Sequence, residues 1–263
     1  MNLIFHNPGI DSMVRSILMF QTDDEAAFWS DSLYYFYPQL DREKAKGLAF
    51  ADRKRYIEKT IRDLYQGLEA ELNQKAEAYQ AAWGIHRKQI EDALSEAFAL
   101  DCTALFNQMR CDVSLNPVSP RFLQEQRFEV FYLNSPQGAI GTSIHEIIHF
   151  VWFYVWNRLF HDSYDQYERP SLKWILSEMV VESIMRDPRL CGINPYFPRE
   201  QGGCIYPYFF TMTADGESVL AVIDEMYRTL GIQTFMKESY AYCLAHEKEI
   251  RKHISASEQS SRG

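Results

Sequence analysis

His145, Glu146, Ile147, Ile148 and His149 form the run H-E-I-I-H, and two imidazoles and a carboxylate at this spacing can carry out metal-assisted hydrolysis. Residues four apart on an α-helix stand about 40° apart around its axis. Both imidazoles therefore project from one face and can close on a single ion. Glu146 is turned about 100° from His145, which places its carboxylate at the rim of the site, where a general base belongs. A catalytic zinc takes three protein ligands and keeps one position for water, so the chain must supply another. The metzincin continuation would need Gly and His three and six residues after His149, where Trp152 and Val155 stand, and it is excluded. His161 lies three turns further along the same helix, too far to share the ion.

The element that carries this run is a buried helix. Ile140, Ile144, Ile147, Ile148, Val151, Trp152, Val155, Trp156 and Leu159 recur at helical intervals and cover more than one face. Ser135-Pro136 reads as its start, with Gly138 and Gly141 able to delay the regular helix to Thr142. A second helix is expected from Ser171 to Asp187, between Pro170 and Pro188. It is apolar nearly all round, yet Glu178 and Glu182 sit one turn apart on it. Buried carboxylates need partners, and a metal site short of one ligand is such a partner for either of them.

These two segments, H-E-I-I-H at 145–149 and E-M-V-V-E at 178–182, resemble the gluzincin metallopeptidases, the thermolysin-like group in which a second helix carries a Glu ligand. The resemblance is local to those motifs. It implies Zn2+ as cofactor, Glu178 as third ligand beside His145 and His149, Glu146 as base, and a peptide or protein as substrate. Glu182 would accept the outer N–H of a ligand His, although that group more often carries Asp there. The resemblance further implies that the strand before the zinc helix, Glu129 to Asn134, is an edge along which an extended peptide lies. It also asks for an oxyanion donor from beyond the Glu helix. Tyr206, Tyr208, Tyr240, Tyr242 and His246 lie in that region, and Tyr242 and His246 are favoured because they share a helical face. Peptide deformylases also carry an H-E-x-x-H helix, but neither L-D-C-T-A nor R-C-D-V here resembles the upstream motif that supplies their Cys ligand.

Composition narrows the alternatives. Thirty-six acidic against twenty-seven basic residues give a formal charge of −9, which disfavours a nucleic-acid partner. Met1 to Phe20 does not read as a signal peptide, and no stretch reads as a membrane span. Five widely spaced cysteines without a C-x-x-C pair read as mostly free thiols and fit a cytoplasmic protein.

The expected class is mainly α, with an α+β portion. Residues 1–112 read as a helical N-terminal domain, with Ile57, Ile61, Leu64, Leu68 and Leu72 on one stripe, a break at Gly84, and Thr103 to Arg110 as a possible extension. Residues 113–253 read as a zincin-like catalytic core with a small sheet, including a strand over Arg127 to Leu133. The segment 187–203 is a loop that can wall or cover a cleft. Helical patterns follow over Glu217–Leu230 and Thr234–His253, then a polar tail over 254–263. Together these features lead to the expectation of a zinc-dependent peptidase. Its rival is a non-catalytic helical regulatory or interaction protein that retains a zinc site, a reading the intact Glu146 argues against.

Overall fold

The computed structural model describes residues 1–22, 27–193 and 204–260, and among them the chain is mainly helical with a small mixed sheet. Strand β1 (Leu3–His6) pairs in parallel with β2 (Met109–Ser114), and β2 pairs in parallel with β4 (Arg127–Phe131). The two-residue β3 (Arg121–Phe122) runs antiparallel to β4, giving the order β1-β2-β4-β3. The boundary expected after residue 112 therefore falls inside β2. The first residues of the chain belong to the same sheet as the strands leading to H-E-I-I-H, and one continuous core runs through both parts.

After α1 (Ile10–Met19), α2 (Ala27–Phe36) and α3 (Arg42–Gly47), the helix α4 runs unbroken from Phe50 to Phe98. The break expected at Gly84 is absent. A glycine inside a helix costs about 1 kcal/mol relative to alanine, and a helix whose Ile57, Ile61, Leu72, Trp83, Ile90 and Leu94 are all buried absorbs that cost. α4 also finishes the sheet. Gln80 accepts from Phe5 N–H at 3.0 Å and donates to Leu3 C=O at 3.2 Å, satisfying groups that edge strand β1 would otherwise leave open. Residues Thr103 to Arg110 do not extend a helix; they lead into β2, whose pairing on both sides outweighs local helix preference.

Helix α5 (Pro136–Phe160) starts at its Ser135 cap, whose hydroxyl accepts from Gly138 N–H at 3.0 Å. The two glycines therefore do not delay it. It ends at His161 in the left-handed region, as far from the histidine pair as expected. Phe150 of α5 packs on Phe128 of β4 with ring centres 6.2 Å apart, seating the helix on the sheet. Helix α6 (Leu172–Met185) starts at Ser171, which accepts from Trp174 N–H at 3.0 Å. All but one of its residues are buried, because α5, α8 (Val219–Thr229) and α9 (Ile232–Ala245) pack around it.

Pro188–Cys191 forms a short helix, α7, preceding α8. The remainder of the expected cleft loop, from residue 194 to 203, lies outside the described residues. The helical pattern expected over Thr234–His253 is split at His246 into α9 and α10 (Glu247–Ser260). α10 carries helix into the segment expected to be a frayed tail, and residues 261–263 lie outside the described set. Among the described residues no helix is long and apolar enough to cross a membrane.

Candidate metal centre

Two buried helices bring three side chains to one point. His145 and His149 of α5 present their Nε2 atoms to each other at 3.1 Å. Glu178 of α6 lies with Oε2 3.5 Å from His145 Nε2 and Oε1 3.4 Å from His149 Nε2. Ligands at about 2.0–2.1 Å in a tetrahedral shell stand about 3.3 Å from one another, and these separations bracket that value. One ligand atom from each of His145, His149 and Glu178 lies within 4.8 Å of the others. The donor set, two imidazole nitrogens and one carboxylate, is that of a catalytic zinc site, and the residues fit the ion.

The electrostatics point the same way. Burial drives His149 down to about 3, so its ring is neutral and has a lone pair to give. Burial alone would raise Glu178, but His149, Arg121 and His145 hold it well below the usual carboxylate range. For His145 burial works downward, and the hydrogen bond to Glu178 with the charge of Glu146 overcomes it and raises the ring. Glu146 stands beside the triad, with Oε1 4.0 Å from His145 Nε2. Burial raises it above the ordinary carboxylate value despite the pull of His145 and Arg121, the direction a proton-transferring group requires.

Glu182 is placed differently from the expectation. It accepts from the Cys204 thiol at 3.4 Å and faces Arg186 at 3.7 Å, while the outer Nδ1 of His149 is buried with no hydrogen-bond partner among the described residues. Glu182 continues along α6 toward its C-terminal end and meets the groups found there. Tyr242 and His246 do not reach the site either. Their rings contact each other at 4.5 Å, and His246 Nδ1 faces Asp215 at 3.9 Å and Glu249 at 4.0 Å near the surface. Shared helical spacing put both on one face of α9, but that face looks away from α5. Of the five oxyanion candidates, Tyr206 is the one found on the walls of the triad's cavities.

The expected substrate edge is also displaced. β4 is an inner strand over its first half, because Pro120 C=O accepts from Glu129 N–H at 2.9 Å and β3 pairs alongside. Glu129 is buried on the sheet, with burial raising its carboxyl to about 7. Only the strand's end reaches the cleft, where Phe131 and Asn134 line a cavity.

Arg121 is the residue that sequence reasoning missed. Its Nη1 donates to Glu178 Oε1 at 3.0 Å and lies 3.7 Å from Glu146 Oε2. Burial works against its charge, and Glu178 and Glu146 more than restore it. Its link to the site runs through the β3–β4 pairing of Arg121 with Phe128, which no local pattern announces. The one available signal was the count of charges: two buried carboxylates on apolar helices with no nearby cation call for one from elsewhere.

Two cavities open onto the triad. One of about 580 Å³ runs past Trp29, Phe36, Val118 and Phe131. The other, of about 730 Å³, is bounded by Phe20, Arg121, Arg169 and Trp174. His145, Glu146, Glu178 and Tyr206 border both. Trp29, Val118 and Ser119 also line both, so the triad is deep in the fold and reached through adjoining cavities. Comparison with protein-family models, with curated proteins and with solved structures finds no match to this chain.

Proposed function

We propose that this chain is a zinc-dependent metallohydrolase, a peptidase with a zincin-like core of the gluzincin type, with His145, His149 and Glu178 as ligands. The observation that carries the reading is the convergence of those three side chains from two separate helices, with Glu146 beside them on the walls of two adjoining cavities. A zinc bound there supplies Lewis-acid activation of water and of a substrate carbonyl.

The chain's own groups do the rest. Neutral His149 offers its lone pair from a fully buried position, so protonation does not compete for it near neutral pH. Glu178 stays ionised and brings the one negative charge among the ligands. Glu146, raised by burial, takes a proton from water on its Oε atoms and returns it to the leaving amine.

The test uses Glu146→Gln, which keeps volume and removes the base. Zinc content and folding are expected to match wild type, while cleavage of a broad peptide library falls by about 100-fold or more. Equal cleavage by the two proteins rules out the mechanism. No cleavage by zinc-loaded wild type favours the non-catalytic alternative.

A further inference from the structure

Arg121 is an arginine inside a site that has reason to attract cations. Its guanidinium answers the charges of Glu178 and Glu146. With a divalent ion among His145, His149 and Glu178, those two carboxylates already balance the ion, and the charge of Arg121 is left over. A net positive charge with side chains so little exposed as Arg121 (13%) and Glu178 (3%) favours an anion in the space that remains, the ionised water of the hydrolytic reading or the ligand oxyanion that follows it. Arg121 hydrogen-bonds Glu178 through one nitrogen, and a guanidinium carries five N–H donors in a planar fork. The fork borders the 730 Å³ cavity together with His145, Glu146 and Glu178.

The other cavity shares Trp29, Val118 and Tyr206 with this one, and Phe36 and Phe131 line it alone. Phe36, 39% exposed, packs edge-on against Phe131 at 4.7 Å, and Trp29 packs edge-on against Tyr206 at 5.4 Å. With Val118 these rings wall a cavity that ends at His145 and Glu146. Large apolar side chains facing an open cavity are the usual lining of a binding site.

We propose that Arg121 binds the oxyanion of a ligand beside the triad, and that the cavity walled by Trp29, Phe36 and Phe131 takes a bulky apolar group carried by that oxyanion. The inference rests on the zinc-hydrolase reading and deepens it. The ligand class is a carbonyl compound with a large aromatic or aliphatic side chain next to the bond attacked, whose tetrahedral oxygen receives the donors of Arg121. Arg121 is then a catalytic residue, and it takes the part that Tyr242 and His246 are too remote to play.

The test is calorimetric titration of the zinc-loaded full chain with phenylphosphonate and methylphosphonate, tetrahedral oxyanions with and without an aromatic group. Wild type is expected to bind both and to prefer the phenyl compound. Arg121→Gln should retain zinc and lose about 10- to 100-fold in affinity for both, and Arg121→Lys, which keeps the charge without the fork, should fall between. Phe36→Ala should erase the preference for phenyl and leave methylphosphonate binding intact. If Arg121→Gln fails to fold, the lysine variant decides. Undiminished phosphonate binding by the Arg121 variants, or no binding by zinc-loaded wild type, overturns the inference and leaves the zinc site standing. A wild-type chain that takes up no zinc overturns both.

Discussion

The pairing of Arg121 with Glu178 links β3 to α6 inside the site, and a double-mutant cycle measures what it contributes to stability. At 3.0 Å and an effective dielectric of about 20, the gross attraction of two unit charges is about 5 kcal/mol. Desolvation offsets much of this in the intact pair, but removing one partner leaves the other buried and uncompensated. Such a loss typically costs about 3–5 kcal/mol. Glu178→Gln is expected at the lower end, because Arg121 still has Glu146 at 3.7 Å. Arg121→Gln should cost more, since it strands Glu146 and Glu178 together. The double variant removes both charges and should be more stable than the sum of the single losses implies, by a coupling of about 2 kcal/mol. Urea unfolding of the four chelator-treated proteins reads it. Additive losses within about 0.5 kcal/mol would refute the pairing as the counter-charge of the site.

Two further predictions follow from the geometry. Glu129, held up at about 7 by burial, keeps its proton in the folded chain over a range where the unfolded chain, near 4.5, has lost it. The native state therefore binds more protons, and stability falls as pH rises from about 4.5 to 7 and levels off above, by about 3 kcal/mol for a shift of this size. Glu129→Gln should remove that slope in unfolding measured from pH 4.5 to 8, and an unchanged slope contradicts the burial of an acid there. Glu182→Gln should leave zinc affinity within about 3-fold of wild type, below the 10- to 100-fold typical of a residue hydrogen-bonded to a ligand, because Cys204 and Arg186 hold Glu182. A larger loss in a competitive zinc titration would show that it orients a ligand histidine.

The parts legible in the sequence are those whose physics is local. H-E-I-I-H fixes its own geometry once the helix forms, and apolar residues on every face of α5 and α6 required burial. The Ser135 and Ser171 caps marked where each begins. Glu178 was legible as a carboxylate on an apolar helix in need of a partner. What escaped depends on contacts between distant segments. β1 joins the sheet because β2 offers it a parallel partner more than a hundred residues later, and α4 passes through Gly84 because tertiary packing outweighs one residue's helix preference. Arg121 reaches Glu178 only because β3 folds back on β4. The faces of α9 and the C-terminal half of α6 are assigned by their neighbours, so shared spacing misplaced Tyr242 and His246 and the family resemblance misplaced Glu182.

On the proposed function, His145, His149 and Glu178 hold one zinc. Elemental analysis of the purified chain, with X-ray absorption at the zinc edge, tests it directly. The expected result is one zinc per chain in a shell of two imidazole nitrogens with oxygen ligands, lost in large part from His149→Ala and Glu178→Ala. A wild-type protein without stoichiometric metal, or full zinc retention in both variants, would contradict it.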